Sequence, residues 1–473
     1  MQRISIQAIL IVALELMATH IANAQQINFS DSWQLLQKKN NSLAAQRANV
    51  DHYQQLEKAN DSLNYPTITL GANYTHLNDD ITLSGDDIYD SLDSTGQATL
   101  AALSSELGLD LTSISSTSAE QDMFNSSIRA LWPIYTGGRI SAAQSYSAGR
   151  TDEALAQLKM ETETRFDDLS QYYFSVVLAR EILTTRQSVE DGLIQHRNFA
   201  IKLEQQGQIA KVERLQAEAS LANAIVERKK AQRNVEITTA ALTEILNQKD
   251  PVTPNSTLFI NRTLPPLSAF TEQTLSSYPG LAILTAKDKQ AKSSIKAEKG
   301  KYYPEVYLYG DYTVYEDDSL ASQLTPDWFV GIGVNIPLME NTGRSRKVQA
   351  AQSAVLQVRH LRQQAIQDLR VLVKKTYFQA QQAIEETQGL DASLALATEN
   401  LNLRKKSFNQ GLTTSLDVVD AQLSLARIQT QQQVARFNYI IALNKLLGLS
   451  SKMSTFSQYE SNALQANSAE DNA

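Results

Sequence analysis

The sequence contains no cysteine. That excludes disulfides, thiolate metal sites, thiol catalysis and a lipidated N-terminal cysteine. Proline is sparse: ten residues, none beyond Pro337 and none between Pro133 and Pro251. Because proline inside a helix costs about 3 kcal/mol, these tracts are free to form long helices. Basic residues are in the minority, and the formal net charge of -8 argues against a nucleic-acid binder. The five histidines are scattered, and no phosphate loop or triad spacing occurs, so nothing points to catalysis. Six methionines are too few for a thioether relay for soft metals. No metal or cofactor is expected. After Ala24 no apolar run approaches the roughly 18 residues of a membrane helix.

Residues 1–24 read as a secretory signal. Arg3 gives a positive start, Ile4 to Ala18 is mostly apolar, and Ala22-Asn23-Ala24 fits the small-x-small cleavage rule. An exported chain without a membrane helix is either soluble or a β-barrel.

The rest of the chain is duplicated. Tyr65-Pro66 recurs as Tyr303-Pro304 and Tyr74-Thr75 as Tyr312-Thr313, both 238 positions on. Pro133 recurs as Pro337, Gln206-Gly207 as Gln410-Gly411 and Ala217 as Ala421, now 204 positions on. The ordered matches and constant spacing indicate one repeated unit, with about 34 extra residues in the first half between Thr75 and Pro133. The first repeat is assigned to residues 25–254 and the second to 255–449. The remainder, 450–473, reads as a polar, disordered tail.

Each repeat opens with a helix, Ser30 to Leu63 or Phe270 to Lys301. Two strands follow, predicted at about 66–77 and 124–135, then 304–315 and 328–339. Long helices come next, at about 138–206 and 211–247, then 343–410 and 414–447. A helix from Arg139 to Gln206 would be roughly 100 Å long at 1.5 Å per residue. The strand segments alternate: Trp328, Val330, Ile332, Val334, Ile336 and Leu338 share one face, with Phe329, Gly331, Gly333 and Asn335 on the other. Apolar-out dyads of roughly ten residues, with aromatics near their ends, are the pattern of a membrane barrel. Four strands cannot close one, and open edges are not tolerated in hydrocarbon, so several chains would have to share a barrel. The competing reading is a periplasmic or surface coiled-coil structural protein. It accounts for the helices but needs no matched strand hairpins.

Over Phe29 to Leu449 the sequence resembles the TolC family of outer-membrane efflux proteins. The resemblance rests on the duplicated helix–strand–strand–helix–helix unit, the Tyr-Pro pairs, the Thr136-Gly137-Gly138-Arg139 and Asn341-Thr342-Gly343-Arg344 helix entries, and the tip sequence from Gly411 to Ala421. It implies a mixed α and membrane-β fold. In that fold a trimer has a shared 12-stranded β-barrel in the outer membrane of a Gram-negative bacterium and a long α-helical barrel in the periplasm. It also implies a passive exit duct for an efflux or type I secretion system, served by a periplasmic adaptor protein and an inner-membrane pump of RND or ABC type.

The candidate site is the pair of helix tips. Asp417 and Asp420, three residues apart, fall on one helix face. In a trimer each would form a ring of carboxylates, attracting cations at a narrow mouth. Crowding of like charges predicts raised pKa values. Glu213 is aligned with Asp417 in the first-repeat tip, and the resemblance implies that an acidic residue there helps hold the mouth shut. Phe408 and Thr413 stand where some relatives carry a Tyr and an Arg. Gly207 and Gly411 fit C-cap glycines. By resemblance, these turns, with Leu412 and Thr413, face the adaptor. The excess segment Asn78 to Met123, rich in Ser, Thr, Asp and Gly, is expected to be an extracellular loop, with a short helix possible within Ala98 to Leu111.

Overall fold

The computed structural model describes residues 25–317, 322 and 326–470. The expected signal segment, 1–24, lies outside them.

Along the chain come β1 (Gln25–Ile27), α1 (Phe29–Lys39), α2 (Asn41–Asp61), β2 (Thr67–His76), β3 (Ile81–Ser84), α3 (Gly85–Ser91), α4 (Ser94–Leu107), β4 (Ser115–Ala119) and β5 (Asp122–Tyr135). The long helices α5 (Arg139–Gln205) and α6 (Lys211–Ile245) complete the first half. The second half holds β6 (Val252–Pro254), α7 (Leu267–Ser277), α8 (Pro279–Gly300), β7 (Glu305–Glu316), β8 (Trp328–Asn335), α9 (Arg344–Asn409), α10 (Ser415–Leu449) and α11 (Phe456–Glu470). The proline-free tracts do form the long helices. α5 and α9 have 67 and 66 residues, and α6 and α10 have 35 each.

Four expectations need correction. The opening helix of each repeat is two helices. Asn40 is extended and its side chain accepts the Leu43 amide, restarting the chain as α2. Tyr278 is extended because Pro279 follows it. The last strand stops at Asn335 rather than residue 339, two residues before Pro337, which has no amide to donate. The tail is ordered through residue 470: α11 carries Phe456 and Ala463 into the core. The excess segment is not plain loop, since β3 pairs antiparallel with β4 around α3 and α4.

The chain divides into two compact units, each drawing on both halves. One comprises 53–151 and 287–358 and contains a four-stranded antiparallel sheet in the order β2-β5-β7-β8. Its register aligns Leu70, Ile128, Tyr312 and Trp328 across the four strands, with Ala130, Gly310 and Val330 in the next row. One face is therefore almost wholly apolar, and it is exposed: Leu70 is 70 % and Val330 76 % accessible. The opposite face carries the Arg129–Asp311 ion pair at 3.0 Å. There Tyr309 and Tyr307 lie over Gly331 and Gly333, whose missing side chains leave room for the rings. Pro133 sits in β5 beside a register irregularity, where a strand tolerates it. The Gly-Arg helix entries have a mechanical role here. Arg139 forms an ion pair with Glu305, and Arg344 donates to the Lys301 and Pro337 carbonyls at 3.0 and 3.1 Å.

The other unit comprises the remaining segments of the chain. Its main core joins Phe29, Phe166, Tyr173, Phe174 and Phe456, with ring centroids 4.7 to 5.6 Å from Phe29. Each such buried ring contributes about 2–3 kcal/mol. β1 pairs in parallel with β6, and Tyr173 donates to the Ile27 carbonyl at 2.9 Å.

Candidate functional site

The α5–α6 and α9–α10 turns are built alike. Gly207 and Gly411 have φ of 71° and 69°, the left-handed region that glycine enters without steric cost. The Gln208 amide bonds the Leu203 carbonyl at 2.8 Å and the Gly207 amide bonds Glu204 at 2.9 Å. The second tip repeats the pattern, Leu412 to Ser407 at 3.0 Å and Gly411 to Phe408 at 2.9 Å. This double closure satisfies carbonyls that a helix end leaves orphaned. A small core of Ala200, Leu203, Ala217, Phe408 and Val418 then locks the two tips together.

The second tip opens α10 with a capping box. Thr414 accepts the Asp417 amide, and the Asp417 carboxylate accepts the Thr414 amide at 3.0 Å. Asp417 also accepts the hydroxyls of Thr414 and Thr413, at 2.6 and 2.7 Å. Arg404 lies 3.8 Å away. Within the single chain these contacts reverse the expected direction of the Asp417 pKa. Hydrogen bonds from Thr414, then Thr413, hold the carboxyl down to about 2, with Arg404 adding a smaller charge effect. Asp420 stands exposed one turn further along α10. The two aspartates are therefore unequal: Asp417 is folded back on its own helix end.

Glu213 reaches across the tips. Its Oε2 accepts the Ser415 amide at 2.6 Å, so a first-repeat carboxylate caps a second-repeat helix. The Ser415 hydroxyl in turn lies 2.7 Å from His196 Nε2. His196 is buried, with its ring 4.5 Å from that of Phe408. Burial first, then the charge of Lys405, pushes its pKa down to about 4, which keeps the imidazole neutral. Arg214 is held by Glu204 and Glu218, both at 2.6 Å. Leu412, at 75 % accessible, is the most exposed apolar residue of the turn. Glu213, Thr413 and Asp417 thus come together with Ser415, while Gly207 shapes the facing turn. His196 and Ser415 were not singled out in the sequence. The only available signal was a serine at the first position of a capped helix.

Among the described residues no helix is long and apolar enough to cross a membrane. No group of three acidic, histidine or cysteine side chains is arranged to hold a metal.

The family model for outer membrane efflux proteins matches residues 33–248 and 271–450. The outer membrane efflux protein BepC of Brucella suis biovar 1 (strain 1330) is 24 % identical over 305 residues, covering 61 % of this chain and 65 % of that relative. The match thus spans just under two thirds of the curated relative's length. Among solved structures, CusC superposes with a TM-score of 0.73 at 14 % identity, over 90 % of this chain and 92 % of that one. VceC of Vibrio cholerae gives 0.70 at 13 % identity, over 89 % and 95 %. MtrE of Neisseria gonorrhoeae, solved in an open state, gives 0.63 at 17 % identity, over 90 % and 89 %. At these identities the structural likeness establishes the fold alone.

Proposed function

Since this chain belongs to the outer membrane efflux protein family, we propose that three copies of it form a passive exit duct through the outer membrane of a Gram-negative bacterium. The observation that carries this reading is the four-stranded sheet. It exposes an apolar face, and its two edge strands, β2 and β8, each have a single neighbour. In hydrocarbon such edges leave amides and carbonyls unpaired, each at a cost of several kcal/mol, so the sheet must close against copies of itself. Three copies give twelve strands, within the range of membrane barrels. The long helices α5, α6, α9 and α10 would then form the periplasmic tube.

Substrate would arrive from an inner-membrane pump of RND or ABC type through a periplasmic adaptor, as part of tripartite efflux or type I secretion. The adaptor would seat on the turns at Gly207 and at Gly411, Leu412 and Thr413. The mouth would be gated at these tips. Glu213 holds the two hairpins of one chain together through Ser415, while Asp417 and Asp420 supply the negative ring. The duct itself performs no chemistry. A coiled-coil structural role has no use for a paired sheet with one apolar face.

The test is fractionation followed by a mass measurement on the protein gently extracted in detergent. Recovery from the outer membrane with the mass of three chains supports the reading. A monomer in the soluble periplasmic fraction overturns it.

A further inference from the structure

Away from the tips, α5 buries a carboxylate that the duct reading does not use. Glu163 is only 9 % accessible. It lines a cavity of about 290 Å³, together with Tyr278 at the α7–α8 joint, Asn444 and Lys445 on α10, and Asp167 on α5. The volume corresponds to several water molecules at about 30 Å³ each.

The polar groups around this cavity are predominantly acceptors. The Glu163 carboxylate takes one neutral hydrogen bond, from the Ser451 hydroxyl at 2.6 Å. Ser451 holds that hydroxyl in place from the left-handed region, at φ 53°, a conformation costing about 1–2 kcal/mol for a residue with a Cβ. Asn444 is fully buried. Its Nδ2 donates to Ser170, but its Oδ1 has no partner among the described residues. A buried acceptor without a donor costs about 1–3 kcal/mol. Together, Asn444 and Glu163 call for something positive or hydrogen-donating in the space they line.

Charge count narrows the class. Lys445 Nζ lies 3.5 Å from Asp167, and both side chains are about two-fifths accessible, so this pair is matched at the rim. Lys159, on the same helix as Glu163, acts on it only as a weak, more distant charge, and Tyr278 is neutral. One buried negative charge remains. Calcium takes six to eight oxygens, usually from several carboxylates, and no such cluster is present among the described residues. An all-oxygen set with a single net charge suits a compact monovalent cation.

We propose that the cavity beside Glu163 is a binding site for a compact monovalent cation, an alkali-metal ion or an ammonium group, held by the Glu163 carboxylate, Asn444 Oδ1 and the Tyr278 hydroxyl. Without such an ion, burial raises the Glu163 pKa to about 7, opposed by Ser451 and Lys159, so a proton is the competing occupant. Cation occupancy is therefore favoured above neutral pH and lost below it. The site does not depend on the trimer or on the gate.

The test uses the full-length protein in detergent, melted at pH 8.5 and fixed ionic strength. Sodium, potassium or ammonium chloride progressively replaces tetramethylammonium chloride. The expected result is a saturable rise in melting temperature of roughly a few degrees for at least one compact cation. Which cation saturates first separates an alkali ion from an ammonium group. The rise should vanish at pH 5.5 and in Glu163→Gln. Identical melting in all four salts overturns the proposal, and so does an undiminished rise in Glu163→Gln. Stabilisation on acidification with no cation dependence at pH 8.5 would mean that a proton alone occupies the site, which also overturns it. Should Glu163→Gln fail to fold, discrimination among the salts by the unaltered protein still decides the question.

Discussion

Replacing Glu213 with Ala should loosen the first turn of α10 without unfolding the protein. The Ser415 amide is one of the donors that a helix start leaves without an intrahelical partner. In this structure its acceptor is a carboxylate at 2.6 Å from a different helix. Hydrogen bonds to charged groups contribute about 1.5–3 kcal/mol. Glu213 is only partly buried, so the low end applies, about 1.5 kcal/mol. Because each 1.4 kcal/mol is a factor of ten, local opening should become about tenfold more frequent. The Ser415 hydroxyl keeps its contact with His196 and Asp417 keeps the capping box, so the loss is confined to this link. Hydrogen exchange with mass spectrometry should show about tenfold faster exchange in peptides covering Ser415 to Val419, with the core around Tyr173 unchanged. Exchange within twofold of the parent would refute the argument and reduce Glu213 to a solvated side chain.

Changing Asp417 and Asp420 together to Ala should lower cation preference in planar bilayers, since a ring of carboxylates at a constriction is poorly screened over the Debye length of about 10 Å. An unchanged permeability ratio would place the selectivity elsewhere. Asp417→Ala alone should also cost the α10 cap about 1 kcal/mol, readable as faster exchange at the same turn. Two buried groups should shape the pH dependence of stability in opposite directions. His196, with a native pKa of about 4 against 6.5, binds fewer protons folded than unfolded, so it destabilises the fold as pH falls from about 6.5 to 4. Glu163, with a native pKa of about 7 against 4.5, binds more protons when folded, so it costs stability as pH rises from about 4.5 to 7. Melting curves of His196→Gln and Glu163→Gln should therefore change slope with opposite sign, and a shared sign would contradict both assignments. Protease added to intact cells should cut within Asn78 to Met123. Cleavage only after breaching the outer membrane would place that segment on the other side.

Most of the architecture was legible because it rests on strong local signals. Prolines that stop at Pro337 and leave Pro133 to Pro251 clear can be read directly as long helices. The alternation from Trp328 to Asn335 is a strand pattern that few other structures share. The breaks at Asn40 and Tyr278 were harder to see. Asn40 is an ordinary polar residue until its side chain is observed capping α2, and Pro279 is equally compatible with a helix start. α11 escaped because its weakly apolar composition gave no hint that Phe456 joins Phe29 and Phe174 across hundreds of residues. The tip glycines and Asp417 could be found from spacing. The direction of the Asp417 pKa could not, because it depends on two threonine hydroxyls turning inward. His196 and Glu163 look like scattered surface residues in the sequence, and only burial gives them a role.

The central claim is that β2 of one chain pairs with β8 of the next. Because the chain has no cysteine of its own, this can be tested by disulfide trapping in the outer membrane. Single cysteines placed along Thr67 to Thr75 would each be combined with one at Phe329, Gly331 or Gly333, since a disulfide forms only when the two Cβ atoms come within about 4.5 Å. The account predicts that some registers yield covalent dimers and trimers, reversed by reductant and absent from either single-cysteine parent. Monomer alone at every register, in protein recovered from the outer membrane, would contradict a barrel closed between copies.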